Sequence, residues 1–280
     1  MTKPHAELDK VSFRAIADLA YRESGLTLVD EKTTMIQSRL RRRLQALKMS
    51  EFSDYCSFVC SEGGRSERKQ LISALTTNVS HFFREDHHFD ALCASVRASL
   101  SLLRAGGRLR IWSAGCSNGQ EAVSAAIRLL ETCPEIASYD LRILATDIDT
   151  EVVSFARRGC YPKRFTTGIA PGIMTRFFDP GPEMDGEETF ATKDCVKRLI
   201  RFNELNLLDS WPMQGRFDAI FCRNVVIYFD FETQTRLWPR FREALTPDGL
   251  LFLGHSERIG DPAAFGFECS GPTSYRRKAG

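Results

Sequence analysis

The chain has 280 residues, of which 43% are apolar and 26% charged, with a formal net charge of +2. This is an ordinary folded composition, long enough for one large domain or two smaller ones, each able to bury a core. The charge is too near neutral to argue for nucleic acid. No apolar run approaches the roughly 18 residues of a membrane span, and residues 1–10 carry no signal-peptide core.

The first 75 residues read as helices. Phe13, Ile16, Leu19 and Ala20 fall at helical spacing, and Gly25 is placed to stop that helix. A second helix is predicted over residues 31–47 and a third over Phe52–Cys60, while residues 61–66, with Gly63 and Gly64, read as a turn. Residues 74–85 join two halves of the chain. Locally they read as a capped interdomain helix, with Asn78 or Ser80 as the cap and Phe82 and Phe83 packing.

From Arg108 strands and helices alternate. Residues 109–113 form a short apolar strand, followed by a glycine-bearing turn and a helix from about Gln120. Residues 141–145 are the next strand and Thr150–Arg158 the next helix; later come a strand over Phe217–Cys222, a helix over 232–244 and a strand over 250–253. That rhythm predicts an α/β fold, a doubly wound Rossmann-like sheet preceded by an all-α region. Between Cys160 and Leu205 it lapses, broken by Pro171, Pro180, Gly181, Pro182 and Gly186. Thr189–Thr192 and residues 196–204 read there as strands of an insertion with its own small antiparallel sheet. The nine cysteines are scattered, with no Cys-x-x-Cys. They read as reduced, partly buried small hydrophobes, so no metal site is expected.

The turn between the first strand and its helix is Gly115-Cys-Ser-Asn-Gly119, placed where open α/β sheets bind ligands. Glycines there let the backbone approach a ligand. Asp147 ends the next strand, where an acid accepts hydrogen bonds from both ribose hydroxyls of a nucleoside; the plainer reading is that Asp147 or Asp149 caps the following helix. Glu121 opens the helix at the position where a dinucleotide fold seats its pyrophosphate, and a carboxylate would repel phosphate. It suits the cationic methionine end of S-adenosylmethionine better than NAD. The same five residues also match the Gly-x-Ser-x-Gly elbow of hydrolases, with Ser117 as nucleophile and Asp218 and His255 in the right chain order. No oxyanion loop precedes it, and the turn follows the first strand rather than a later one.

Further along, Asn206-Leu207 follows a strand and can contact an adenine edge, while Arg223, Asn224 and Tyr228 follow the strand ending at Cys222. Polar groups at the carboxyl end of a central strand point to a site, with a strand end bonding its own loop as the alternative.

In combination, residues 75–89, 111–121, 146–152, 206–208, 217–230 and 247–257 resemble the CheR family of chemotaxis receptor glutamate methyltransferases, over nearly the full chain. The resemblance implies a helical domain over 1–76 and a class I methyltransferase domain over 77–280, with an inserted β-subdomain at about 160–205. It implies that Asn78, Ser80, Arg84, Gly115, Glu121, Asp147, Asn206, Leu207, Cys222 and Arg223 hold S-adenosylmethionine. Arg84 and Tyr228 would lie beside the transferred methyl group. Two departures stand out: Gln120-Glu121-Ala122 where the family often shows Glu-Glu-Pro, and Ser80 where threonine is usual. Both keep the hydrogen-bonding group that matters.

The family's partners are the cytoplasmic helical region of chemotaxis receptors and, in some members, a receptor C-terminal peptide docked on the small sheet. The expected location is therefore the cytoplasm, at membrane-bound receptor arrays, with neither nucleic-acid binding nor membrane insertion. Residues 32–48 carry six basic residues and no acid. Ile36, Leu40, Leu44 and Leu47 form a helical stripe; Arg39, Arg41, Arg42 and Lys48 lie off it, either as a solvated face or as a docking surface for an acidic receptor bundle. The alternative function is a CheR-like methyltransferase, or a cofactor-binding regulator, that acts on a different protein.

Overall fold

A computed structural model describes residues 7–184 and 186–278; the start of the segment read above as lacking a signal peptide, residues 1–6, lies outside the described residues. Four helices come first: α1 (Lys10–Ser24), α2 (Thr33–Leu47), α3 (Phe52–Cys60) and α4 (Arg65–Leu75). Asp9 caps α1 by accepting from the Val11 and Ser12 amides, and Gly25 stops it at φ 72°. The second helix starts two residues later than predicted, because Asp30–Lys32 form a 3-10 turn. Residues 61–66 are a turn only as far as Gly64, and α4 then begins. Ile16, Leu19, Ile36, Leu40, Leu44, Tyr55 and Leu71 close a core of their own. Within it Glu67 is held by both ends of the Arg43 guanidinium (2.9 and 2.8 Å) and by the Tyr55 hydroxyl (3.0 Å).

Residues 76–86 correct the sequence reading. They form extended chain and turns rather than a capped helix, and Phe83 and Glu85 sit at φ 57° and 52°. The Asn78 amide is drawn instead to the Asp149 carboxylate, 2.7 Å away. Phe82 does pack, edge-on to Tyr161 and Phe178.

The remaining elements are α5 (His87–Ala98), α6 (Leu100–Arg104), β1 (Arg108–Ala114), α7 (Gln120–Thr132), β2 (Asp140–Asp147), α8 (Thr150–Arg158), β3 (Cys160–Pro162), α9 (Lys163–Thr166), α10 (Pro171–Phe177), β4 (Phe178–Pro180), β5 (Thr189–Thr192), α11 (Asp194–Lys197), β6 (Ile200–Glu204), β7 (Phe217–Cys222), α12 (Phe231–Ala244), β8 (Leu245–Leu253), β9 (Phe267–Gly271) and β10 (Ser274–Arg277). The main sheet runs β6-β2-β1-β7-β8-β10-β9. Its first five strands are parallel, and β10 and β9 add on antiparallel. From β1 the chain moves outward to β2 and β6, then returns to β7 on the other side. The strand order therefore reverses at β1, and the loops after β1 and β7 diverge there to leave a crevice.

A small antiparallel sheet, β3-β5-β4, stands apart as expected. Its predicted last strand does not belong to it. Residues 194–197 are a helical turn, and β6 pairs in parallel with β2 from Ile143–Ile200 to Asp147–Glu204, at the edge of the main sheet. The alternation of Ile200 and Phe202 with polar residues fits an edge strand of either sheet, so the pairing partner decided it. All nine cysteines are free and six of them are buried. Among the described residues no helix is long and apolar enough to cross a membrane.

Glu67→Ala would leave Arg43 and the Tyr55 hydroxyl without their shared acceptor inside the helical core. Breaking such a pair costs about 3 kcal/mol, so urea unfolding should show a loss of that order while Glu62→Ala on the nearby surface shows little.

Candidate functional site

A cleft of about 1030 Å³, counted out to its open mouth, lies at the carboxyl ends of β1, β2, β6 and β7. Its floor is the turn after β1. Gly115 there has φ +86°, and a Cβ on it would meet Val225 Cγ2 at 2.3 Å, so this position requires glycine. The walls are Asp147 and Ile148 after β2, Leu205–Leu207 after β6, and Arg223–Val225 after β7. The linker closes one side with Asn78, Ser80, His81 and Arg84, and Ser24, Leu26 and Tyr228 close another.

The charges are tightly organised. Arg223, 2% exposed at its side chain, lies 3.2 Å from Glu121 Oε2 and 3.3 Å from Glu85 Oε2, and donates to the Arg84 carbonyl. Glu121 also accepts from the Ser113 hydroxyl at 2.6 Å. Burial raises the Glu121 carboxyl, and Arg223 and Ser113 only partly offset it. For Glu85 burial pushes upward too, but Arg223 and the His255 contacts outweigh it and hold the carboxyl low. Asp147 accepts from the Ser117 amide (2.8 Å) and the Asp149 amide (3.0 Å); burial still pushes its carboxyl up to about 6. Asp149, by contrast, is the helix cap: it accepts from the Glu151 and Val152 amides. The cap reading was right for Asp149, and Asp147 does a different job.

Of the residues singled out from sequence, Asn78, Ser80, Arg84, Gly115, Glu121, Asp147, Asn206, Leu207, Arg223 and Tyr228 line this one cleft. Cys222 does not. Its side chain is fully buried among Ala114, Ile220 and Leu253 in the core beneath. Asn206 is partly committed, donating to the Glu23 carbonyl (2.9 Å) and accepting from the Leu208 amide (3.0 Å). The docking residues lie elsewhere, on α2, and Arg39 is not free there: it donates to the carbonyls of Leu75 and Thr76, both at 2.9 Å.

The hydrolase reading fails on geometry. Asp218 accepts from the Arg110 amide at the amino end of the sheet, whereas Ser117 follows the carboxyl end of β1. His255 contacts Glu85 rather than Ser117, whose hydroxyl is buried without a partner. Sequence reading missed Glu257, 3% exposed, which gathers the Asn224, Ile227 and Gly254 amides and fixes the loop from Arg223 to Tyr228. It also missed Ser24 and Leu26, since nothing local in a helix end reveals a cleft wall.

Residues 78–273 match the sequence model of the CheR methyltransferase SAM binding domain, and residues 12–76 match the CheR methyltransferase all-alpha domain. The chain belongs to the CheR methyltransferase family. It is 44% identical to a probable chemotaxis protein methyltransferase of Rhizobium etli, over 92% of this chain and 96% of that protein. It is 40% identical to chemotaxis protein methyltransferase 2 of Pseudomonas aeruginosa, covering 88% and 86% of the two chains. The Escherichia coli chemotaxis protein methyltransferase is likewise 40% identical, with 90% and 86% covered. This CheR-family chain is thus a methyltransferase dependent on S-adenosylmethionine.

The donor set fits that ligand. Asp147 keeps lone pairs beyond its two backbone donors, enough for two ribose hydroxyls. Glu121, Glu85 and Asp147, when ionised, outnumber Arg223 and Arg84 by one charge, which can meet an ammonium or sulfonium. The buried, unpartnered Ser117 hydroxyl offers a further polar contact on the cleft floor.

If ionised Asp147 accepts the ribose hydroxyls, protonation opposes binding. Affinity for S-adenosylhomocysteine, measured by calorimetry, should be flat above about pH 7 and fall up to tenfold per unit below about pH 6. The raised Glu121 carboxyl would act in the same direction. A flat profile down to about pH 5 would remove Asp147 from the binding step.

Proposed function

We propose that this chain transfers the methyl group of S-adenosylmethionine to glutamate side chains of chemotaxis receptors, forming methyl esters. The observation that carries the reading is the meeting, in one cleft, of the carboxylates Glu121 and Asp147 with the half-buried cation Arg84, in a chain whose relatives are named chemotaxis protein methyltransferases. A glutamate carboxylate, with an ordinary pKa of about 4.3, is already ionised at neutral pH. It needs no general base. When bound, the donor supplies an electrophilic methyl on a sulfonium.

What remains for the protein is alignment and exclusion of water, worth roughly 7–11 kcal/mol in favourable cases. Arg84 suits the first task. Its backbone is held by Arg223, its guanidinium donates to the Val79 carbonyl at 3.3 Å and lies 3.8 Å from Glu85, and its outer N–H groups stand at the cleft wall for an incoming carboxylate. Tyr228 suits the second, since its carbonyl accepts from Thr27 (2.9 Å) and its ring packs against the helical core, narrowing the cleft between the two halves of the chain.

The acidic receptor bundle would dock on α2. With Arg39 engaged internally, Arg41, Arg42 and Lys48 are the members of the predicted docking set left to meet it. The β3-β5-β4 sheet, with β3 and β4 as its edge strands, is the place for a receptor C-terminal peptide. On this reading the protein acts at the cytoplasmic side of receptor arrays.

The decisive experiment incubates the protein with labelled donor and receptor membranes, then releases volatile methanol with alkali, which only carboxyl methyl esters yield readily. No released methanol would sink the reading. In the same assay Arg84→Ala should lower transfer at least about a hundredfold, the scale at which lost alignment is felt, whereas wild-type rates would remove Arg84 from the mechanism. Docking through α2 should weaken as salt rises, because exposed charges are screened beyond about 8 Å at physiological ionic strength; methylation insensitive to salt would count against that face.

A further inference from the structure

We infer that a second pocket, on the outer side of the turn from Gly115 to Gly119, binds a phosphorylated small molecule. It has about 660 Å³ of space out to its mouth, between the end of α8, the β5–α11 connection and β6. Arg157, Lys197 and Arg201 line it, and among the described residues no acidic one does. Arg157 donates to the Phe202 carbonyl (2.9 Å) and Arg201 to the Ile200 carbonyl (3.2 Å), so both are anchored at the pocket with N–H groups to spare. None of the three cations forms an ion pair among the described residues.

A cationic rim alone would be a solvated face. The depth of the pocket argues otherwise. Thr192, 2% exposed, lines it, and its hydroxyl is buried without a hydrogen-bond partner. Leaving such a group unsatisfied costs about 1–3 kcal/mol, which a ligand oxygen would relieve. Gly159 keeps the space open: a Cβ there would stand 3.0 Å from Lys197 Cε and 3.7 Å from the Thr192 hydroxyl. Three cations and a hydroxyl match a phosphate monoester, which carries nearly two charges and three free oxygens; a single carboxylate would leave two cations unmatched. Phe202 and Ala156 supply an apolar wall for the rest of the molecule.

The pocket also adjoins the main cleft. Gly119 has φ +87°, and its missing Cβ would meet Ala156 Cβ at 2.9 Å and Phe202 Cε1 at 3.0 Å. An occupant pressing on Phe202 therefore bears on the turn whose other face lines the S-adenosylmethionine cleft. The inference is independent of which protein receives the methyl group.

The test uses the full chain saturated with S-adenosylhomocysteine, and pyrophosphate as probe against sodium chloride of equal ionic strength. At about ten times its Kd, pyrophosphate should raise the melting temperature by about 2–4 °C. The double variant Lys197→Gln, Arg201→Gln should lose that shift while keeping its affinity for S-adenosylhomocysteine. Thr192→Val should weaken pyrophosphate about fivefold. No shift in the wild type, or an equal shift in the double variant, overturns the site. Citrate acting as strongly as pyrophosphate overturns the phosphoryl assignment. In protein free of nucleoside, saturating pyrophosphate should change S-adenosylhomocysteine affinity at least about twofold, and an unchanged affinity removes the coupling.

Discussion

One buried guanidinium organises the cleft. A cation enclosed as completely as Arg223 is tolerable only when carboxylates and carbonyls converge on it. Here they come from two places in the chain: Glu121 at the start of α7, and the linker, which supplies the Glu85 carboxylate and the Arg84 carbonyl. The pairing draws the linker onto the sheet and at the same time sets where Arg84 stands. Phe89 lies under the guanidinium, 5.7 Å from its ring centre, and covers the remaining face. Glu257 completes the arrangement from behind by holding the amides of the loop that carries Arg223. The position of Arg84 in the cleft is thus a by-product of neutralising one charge.

The helical half of the chain is part of the site rather than an appendage. Asp149, 2% exposed, receives Ser73 and Thr76 hydroxyls and the Asn78 amide while capping α8. Asn206 bonds the end of α1, Thr27 bonds the Tyr228 carbonyl, and Tyr21 bonds Asp230. These contacts fall where the linker, α1 and the loops after β6 and β7 meet, so the cleft has a wall from each half.

Local chemistry carried much of this. The strand over Phe217–Cys222 and the helix over Thr150–Arg158 fall on their predicted residues because periodicity and caps agree there. The turn from Gly115 to Gly119 was legible because only glycine tolerates its angles and close approaches. What escaped was decided at a distance. The polar run from Asn78 to Glu85 looks like a helix start, yet its groups are claimed by Asp149 and Arg223. Residues 196–204 satisfy a strand pattern, and only the free edge of β2 decides that half of them join the main sheet. The hairpin of β9 and β10 is too short and polar to announce itself, and exists by pairing on β8. Arg39 looked like a docking residue because a sequence cannot show which carbonyls lie within reach.

Four side chains near the cleft, those of Phe83, Glu85, Ser117 and Asn224, sit on left-handed backbone at φ 48–59°. Such conformations cost about 1–3 kcal/mol each outside glycine. Glycine at these positions would relax the backbone and yet remove a core ring, an acid and a polar wall at one stroke. Heat-hardening this enzyme and preserving its cleft are therefore opposed goals at these positions, and thermostable variants are better sought in the outer helices.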